Sequence, residues 1–241
     1  MVISVPGPAG ARIGAMRAVL WDMDGTLVDT EKLWDVAIRE LYHRHDRELS
    51  TAVRDSTVGG SSEAVMRIVY DDLGLDPDPS DMAATADWVH TYVGELFETD
   101  LPWCQGAPEL LEAVAASGLP TALVTNTRRD LAEKALESIG REWFSVTVCG
   151  DEVPRGKPAP DPYLRAARLL EVEPAQCLAI EDSVTGAASA SAAGAVVLVV
   201  PNAVVVPAGP GRGFVDSLRG LGVADLRRIH AAPETAVAQR S

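Results

Sequence analysis

Two pairs of carboxylates each follow a short apolar run of the sequence. Asp22 and Asp24 follow the first run, and Glu181 and Asp182 follow a later one. Open parallel sheets bind ligands outside the carboxyl ends of their strands, so these side chains are expected to share one crevice. Two unit charges about 4 Å apart repel by about 4 kcal/mol at an effective dielectric constant of about 20. The carboxylates must therefore take up protons or share a cation, and Mg²⁺ fits a site with few carboxylates better than Ca²⁺ does.

Three other residues supply groups that bind anions. Thr125 and Asn126 follow another apolar run, and Lys157 lies in a Gly-Lys-Pro loop before a predicted helix. Each motif alone has a plainer explanation. Thr125, Asn126 or Asp182 could cap a helix, and Lys157 could be a solvated surface residue. Their joint occurrence after predicted strands, in a set that holds a nucleophile, cation ligands and anion binders, favours an active site.

The apolar runs and the stretches between them predict the fold class. Short runs rich in Val, Leu, Ile and Ala occur at residues 18–21, 121–124, 146–148, 177–180 and 195–200. Amphipathic helices are predicted at residues 109–116, 129–139, 162–170 and 184–193. Strands without polar alternation that alternate with helices indicate a parallel sheet covered on both faces. We therefore predict an α/β protein with a doubly wound parallel sheet, a Rossmann-like core.

An all-helical stretch interrupts this pattern directly after the first strand. Three helices and no convincing strand are predicted there, at residues 31–45, 62–73 and 81–98. We therefore predict a small second domain at residues 30–100, called the helical insertion below.

The remaining residues are assigned to a core domain and two tails. The core is predicted at residues 15–29 and 101–232, where residues 214–229 would add one strand and one helix. Residues 1–14 are predicted to form a flexible N-terminal tail, and residues 233–241 a C-terminal tail. The site described above would lie entirely on the core.

Composition and charge argue against several partners. The chain has 241 residues and a formal net charge of −14. Hydrophobic residues make up 47% and charged residues 23%, which is typical of a folded globular protein. An acidic surface repels phosphate backbones and anionic lipids, so we expect no nucleic-acid partner and no attachment to a membrane.

Cysteine spacing and apolar segments indicate the compartment. Cys104, Cys149 and Cys177 lie far apart without Cys-x-x-Cys spacing, so neither a disulfide framework nor a zinc–thiolate site is expected. Residues 183–211 carry no charge, but Gly and Pro interrupt them, which favours a buried helix and strand over a membrane span. Residues 1–14 lack the pattern of a signal peptide. We therefore expect a cytoplasmic protein.

The motifs, in this order, resemble those of the haloacid dehalogenase superfamily. They are Asp22-x-Asp24-Gly25-Thr26, Thr125-Asn126, Gly156-Lys157-Pro158 and Glu181-Asp182-Ser183-x-x-Gly186. The resemblance covers residues 17–201. It implies that the helical insertion is a cap domain, as in the subfamily that contains phosphoglycolate phosphatase, sugar-phosphate phosphatases and β-phosphoglucomutase.

The resemblance also implies a catalytic and a metal-binding set. Asp22 would attack phosphorus and form an aspartyl-phosphate. Asp24 would protonate the leaving oxygen and then deprotonate the water that cleaves this intermediate. Mg²⁺ would be held by Asp22, the backbone carbonyl of Asp24, and Asp182, with Glu181 close by. The function implied is a Mg²⁺-dependent phosphatase.

A substrate set follows from the same resemblance. The Thr125 hydroxyl, the Asn126 backbone N–H and the Lys157 ammonium would hold the phosphoryl oxygens. The expected partner is a small phosphorylated metabolite such as a sugar phosphate, bound by a monomer or a weak homodimer. Further candidates for substrate contact are Thr30, Ser61 and Arg128.

Two other functions are weighed against hydrolysis. Dehalogenases and phosphonate-cleaving members of the superfamily lack the second aspartate, so the presence of Asp24 favours phosphate-ester chemistry. A β-phosphoglucomutase carries a phosphate-binding Arg and a His at the places held here by Ser62 and Trp34, which disfavours a phosphosugar mutase. A non-catalytic protein that binds a phosphorylated metabolite is the third alternative, because a fold alone does not guarantee chemistry.

Overall fold

The described residues contain six short parallel strands, which form one sheet. This computed structural model describes residues 15–57, 62–97, 102–200, 202 and 205–233. The strands are β1 (Ala18–Trp21), β2 (Thr121–Val124), β3 (Val146–Val148), β4 (Cys177–Glu181), β5 (Val196–Val199) and β6 (Arg212–Phe214). Their order is β3-β2-β1-β4-β5-β6, and every neighbouring pair is parallel. In doubly wound sheets of this order, ligands bind where the order reverses, here between β1 and β4.

Both faces of this sheet are covered. All residues of β1, β2, β4 and β5 are buried. In β1, Val19 and Trp21 pack into one hydrophobic cluster, and Ala18 and Leu20 pack into another. Successive side chains of a strand point to opposite faces, so the two clusters lie on the two sides of the sheet. The predicted α/β fold class is confirmed.

The described residues also contain nine α-helices. Four lie in the helical insertion: α1 (Thr30–Arg44), α2 (Thr51–Thr57), α3 (Ser62–Leu73) and α4 (Pro79–Leu96). Five accompany the sheet: α5 (Ala107–Ala116), α6 (Arg129–Ile139), α7 (Asp161–Leu169), α8 (Val184–Ala193) and α9 (Val223–Ala231). Within the described part of the chain, no helix has both the length and the hydropathy to cross a membrane.

The helical insertion differs from the prediction in two places. The three predicted helices are present as α1, α3 and α4, but the described residues contain a fourth, α2, which was not predicted. Its sequence TAVRDST has no apolar periodicity, and its Arg54 is buried by ion pairs. Helix α4 begins at Pro79 rather than at residue 81. The reason is a capping residue: the Asp78 side chain accepts hydrogen bonds from the backbone N–H groups of Ser80 and Asp81 at 2.9 and 3.2 Å. Pro79 suits the first helical position.

The last described part of the chain contains one further strand and one further helix. Helix α9 lies largely within the predicted residues 214–229, whereas β6 ends at Phe214, where that segment begins. β6 pairs with β5, and α9 follows it. The division of the chain into a core, a helical insertion and two tails stays a prediction, and residues 1–14 lie outside the described residues.

Helix α4 joins the helical insertion to the core by packing on α6. The Ser138 hydroxyl of α6 donates a hydrogen bond to the carbonyl of Phe97, directly after α4, at 2.8 Å. The end of the Lys134 side chain of α6 lies against Gly94 of α4, so the two helices are also in contact at this position. Helix α6 begins shortly after Thr125, so this packing brings the insertion toward the predicted site.

His230 generates a prediction about acid stability. The residue is 1% exposed, its ring Nε2 lies 3.1 Å from the carbonyl oxygen of Ala175, and burial lowers its pKa. Below about pH 6.5 the unfolded chain therefore binds a proton more readily than the folded chain does. The free energy of unfolding then decreases as the pH is lowered, by up to about 1.4 kcal/mol per pH unit. We expect His230→Gln to lose about 1 kcal/mol less than wild type between about pH 7 and pH 5.5 in urea unfolding. The exposed His43→Gln is the matched control, and equal losses in all three proteins would contradict this assignment.

Candidate active site

A buried ion pair joins the first strand to the Gly-Lys-Pro loop. Asp22 directly follows β1, and Lys157 lies in the loop before α7. Lys157 Nζ donates hydrogen bonds to Asp22 Oδ1 at 2.5 Å and to Glu181 Oε1 at 2.7 Å. The side chains of Lys157, Asp22 and Glu181 are 4%, 8% and 0% exposed. One ammonium group therefore faces two carboxylates in a site that water hardly reaches.

Glu181, the last residue of β4, is held by two hydroxyl groups in addition to Lys157. The Tyr163 hydroxyl donates to Glu181 Oε1 at 2.6 Å, and the Ser183 hydroxyl donates to Oε2 at 3.1 Å. Ser183 also caps α8, because its Oγ accepts a hydrogen bond from the backbone N–H of Gly186 at 3.0 Å. A Cβ at Gly186 would collide with the Glu181 carboxylate, so the helix can approach this closely only with glycine there.

Asp182 completes a cluster of three buried carboxylates. One oxygen each of Asp22, Glu181 and Asp182 lies within 4.8 Å of the others. Asp22 Oδ2 and Asp182 Oδ1 are buried and have no hydrogen-bond partner among the described residues. Buried oxygens of ionised carboxylates without donors are unfavourable unless a cation or a proton is present. The donor set, made only of oxygens, fits Mg²⁺.

The pKa values of this cluster show the cost of holding its charges together. Burial, followed by the charge of Glu181, raises the pKa of Asp22 well above its usual value, although Lys157 opposes the shift. Burial and Glu181 likewise raise the pKa of Asp182 to about 7. Burial opposes the charged form of Lys157, but the carboxylates of Asp22 and Glu181 outweigh it and raise its pKa. Lys157 is therefore an ammonium, and the surplus negative charge must be met by protons or by a metal ion.

Asp24 lies beside this cluster and is held by two threonines. Its Oδ2 accepts hydrogen bonds from the hydroxyl groups of Thr125 at 2.9 Å and Thr127 at 2.8 Å. Gly25 has a φ of +85°, and a Cβ there would collide with the Asp182 carboxylate. Glycine therefore allows the turn after Asp24 to pass directly over Asp182.

Asn126 positions the Gly-Lys-Pro loop with its side chain. Its Oδ1 accepts a hydrogen bond from the Lys157 backbone N–H at 2.7 Å, and its Nδ2 donates to the Lys157 carbonyl at 3.1 Å. Since Asn126 follows β2 at the same edge as Asp22, it links two strand ends to the loop that carries the ammonium. Its predicted role, binding phosphate through its backbone N–H, stays a prediction.

Two of the three predicted substrate residues, Thr30 and Arg128, lie in the described part of the chain. Thr30 is buried at the start of α1. Arg128 is exposed, and its Nε lies 3.5 Å from an oxygen of Asp130. Ser61 lies outside the described residues. The assignment of these three residues to substrate binding stays a prediction.

Two residues of the site were not predicted. Thr127 could have been proposed from the alternation of Thr125 and Thr127, which places two hydroxyls on one side of an extended segment. Tyr163 could not, because it lies in the first half of α7, and only the packing of α7 on the sheet brings its hydroxyl to Glu181.

Known proteins are similar to this chain over the whole of this site. The family profile of haloacid dehalogenase-like hydrolases matches residues 16–194. The protein CbbY of Rhodobacter capsulatus is 34% identical over 200 residues, which cover 78% of this chain and 86% of that protein. A phosphoglycolate phosphatase of Thiobacillus denitrificans is 31% identical over 189 residues, covering 77% and 83%. The crystal structure of CbbY from Rhodobacter sphaeroides in complex with phosphate has a TM-score of 0.71 at 28% identity, covering 88% of this chain and 99% of that one.

The carboxylate cluster predicts opposite effects of Asp182→Asn with and without metal. In EDTA, the variant should unfold about 2 to 4 °C higher than wild type, because removal of one buried charge is worth about 1 kcal/mol. Excess Mg²⁺ should raise the unfolding temperature of wild type and leave that of the variant nearly unchanged. Thermal unfolding followed by circular dichroism measures both effects.

The exposed Asp55 of α2 provides the matched control for this comparison. Asp55→Asn should unfold like wild type under both conditions. If Mg²⁺ stabilises Asp182→Asn as much as it stabilises wild type, Asp182 is not a metal ligand.

Proposed function

Because the chain belongs to the haloacid dehalogenase-like hydrolase family, we propose that it hydrolyses phosphomonoesters of a small metabolite, with Mg²⁺, through an aspartyl-phosphate at Asp22. It is a phosphatase of phosphorylated small molecules; the metal and the covalent intermediate belong to the proposal. The observation that supports this proposal most directly is the hydrogen bonding of the two Asp22 carboxylate oxygens. Oδ1 is bound to Lys157, while Oδ2 is buried without a hydrogen-bond partner among the described residues.

Asp22 is the proposed nucleophile. In the first step a bond forms between Asp22 Oδ2 and phosphorus, and the bond from phosphorus to the ester oxygen breaks. The hydrogen bond from Lys157 to Oδ1 orients the carboxylate, so that Oδ2 is the oxygen left to react. The ammonium charge also offsets the repulsion between the carboxylate and an anionic phosphoryl group.

Asp24 is the proposed proton carrier. The hydroxyls of Thr125 and Thr127 both donate to Oδ2, which leaves Oδ1 to carry the transferred proton. Asp24 gives this proton to the leaving alcohol oxygen, and then removes a proton from the water that cleaves the aspartyl-phosphate. Thr127 holds the carboxylate in one orientation through both steps, whereas the single hydroxyl proton of Thr125 turns from Asp24 to the phosphoryl group when the substrate binds.

The residues that would hold Mg²⁺ are Asp22 and Asp182, together with the backbone carbonyl of Asp24. Their fit rests on the unpartnered buried Oδ1 of Asp182 and on the convergence of its carboxylate with that of Asp22. Since Oδ2 of Asp22 is the proposed reacting oxygen, Oδ1 would be the atom of Asp22 that faces the ion. When bound, Mg²⁺ supplies positive charge that lets an anionic nucleophile approach an anionic ester. Glu181 is engaged with Lys157 and Tyr163, so its proposed role is to orient the ammonium beside the metal ligands.

The remaining assignments complete the proposal. Lys157, the Thr125 hydroxyl and the Asn126 backbone N–H are the proposed ligands of the phosphoryl oxygens. Lys157 is supported in this role by its position between Asp22 and Glu181. The cytoplasmic location and the monomeric or weakly dimeric state stay predictions.

The proposed nucleophile predicts the effect of Asp22→Asn. We expect the variant to lose phosphate release from small monoesters by at least about 1,000-fold, because the amide cannot form the covalent intermediate. Its far-UV circular dichroism should match that of wild type, and Asp55→Asn should keep wild-type activity. An Asp22→Asn variant that retains a tenth or more of the wild-type activity would contradict hydrolysis through Asp22. So would a wild-type protein that converts β-glucose 1-phosphate to glucose 6-phosphate without releasing phosphate.

The proposed metal predicts the effect of chelation. Phosphate release should stop in excess EDTA and return when Mg²⁺ is added in excess of the chelator, because the ionised carboxylates then regain their counterion. A colorimetric assay of free phosphate follows both states. Undiminished turnover in EDTA would show that phosphoryl transfer here needs no divalent cation.

A further inference from the structure

The helical insertion encloses a cavity of about 100 Å³, called the insertion cavity below. Helices α1 to α4 all contribute side chains to it. Its walls are largely apolar, formed by Trp34, Ile38, Val65, Met66, Ala86 and Val89. Its polar lining consists of Glu31, Arg54, Thr57 and His90.

The guanidinium of Arg54 is already committed within the protein. Nη2 donates to the Glu31 carboxylate at 2.7 Å and to the Glu31 carbonyl at 3.0 Å, and Nε donates to Asp35 at 3.0 Å. Nη1 donates to the Thr57 hydroxyl at 3.1 Å. Four of the five N–H groups of a guanidinium are therefore used, and two carboxylates balance its charge. Arg54 shapes the insertion cavity and is poorly suited to bind a second anionic group of a substrate.

The other polar groups of the insertion cavity do not supply a cation. The Thr57 hydroxyl donates to the carbonyl of Arg54 at 2.7 Å, so it is engaged on both sides. The His90 ring meets the edge of Trp34 with ring centroids 5.0 Å apart. Burial lowers the pKa of His90, so its imidazole is neutral at pH 7. Few polar groups remain in the described lining to replace the water around a charged or hydroxyl-rich group.

The insertion cavity lies toward the proposed reaction site. Glu31 and Trp34 are in the first two turns of α1, which begins two residues after the bridge between Asp24 and Val28. On the opposite wall, His90 lies on α4, which packs on α6, and α6 begins directly after Arg128. Arg128 directly follows Thr127, whose hydroxyl binds Asp24. Both walls are thus connected to residues that hold Asp24.

We propose that the insertion cavity receives an uncharged alkyl or aryl group of the substrate alcohol, a proposal that rests on the proposed phosphatase function. The substrate class is then a monophosphate of an uncharged alcohol that carries an apolar group. Bisphosphates and phosphorylated carboxylic acids are disfavoured, because the described lining offers no uncommitted cation. Sugar phosphates are disfavoured, because their hydroxyls would be buried against apolar walls.

The test compares kcat/KM for four monophosphates of primary alcohols with the purified protein and Mg²⁺. The probes are 3-methylbutyl phosphate, ethyl phosphate, 2-phosphoglycolate and glucose 6-phosphate. We expect 3-methylbutyl phosphate to exceed ethyl phosphate by at least about tenfold, because each buried methylene-sized group discriminates by about that factor. The charged and the hydroxyl-rich esters should not exceed ethyl phosphate.

Two variants of α4 test whether the preference for 3-methylbutyl phosphate arises in the insertion cavity. Ala86→Phe fills the insertion cavity and should lower the ratio of 3-methylbutyl to ethyl phosphate turnover by about tenfold. Ala84→Phe, on the exposed side of the same helix, is the matched control and should keep the wild-type ratio. The ratio in wild type tests the inference independently of whether Ala86→Phe folds.

The outcomes separate the two proposals. Phosphate release that is fastest from 2-phosphoglycolate or glucose 6-phosphate, or an Ala86→Phe variant that folds and keeps the wild-type ratio, overturns this inference and leaves the phosphatase function intact. Failure to release phosphate from all four esters overturns the phosphatase function and this inference with it.

Discussion

The burial of three carboxylates around one ammonium group is the constraint on which the rest of the site depends. Asp22, Glu181 and Asp182 repel one another where water cannot screen them, and Lys157 compensates only part of their charge. Such an arrangement weakens the folded chain by itself and gains stability only from a bound cation. In the proposed function, the surplus charge serves a metal-assisted reaction of an anionic nucleophile.

The fold brings these groups together through the ends of neighbouring parallel strands. Asp22 follows β1 and Glu181 ends β4, and the two strands pair in register. The side chain of Asn126, after β2, forms hydrogen bonds with both the N–H and the C=O of Lys157. A third strand end therefore positions the loop that carries the ammonium group. Tyr163, from α7, then fixes Glu181 from the side of the helical layer. These contacts orient the charged groups without a ligand, which is the arrangement that preorganised electrostatic catalysis uses.

Sequence reasoning found the carboxylates because strand ends follow from apolar runs, and a parallel sheet brings those ends to one edge. It did not find Tyr163, since only the packing of α7 brings its hydroxyl to Glu181. It also missed α2, whose Arg54 is stabilised by partners on α1 and not by an apolar stripe. Local patterns thus predicted the elements, whereas contacts between distant polar side chains needed the folded structure.

The central claim is that Asp22, Asp24 and Asp182 converge on one divalent cation while Asp22 bonds to phosphorus. A crystal structure of the protein with Mg²⁺ and trifluoroberyllate, a mimic of a carboxylate-bound phosphoryl group, tests it most directly. The account predicts beryllium bonded to Asp22 and one Mg²⁺ shared by Asp22, Asp182 and the Asp24 carbonyl. A structure in which these groups face apart, with no ion between them and the mimic bound elsewhere, would contradict it.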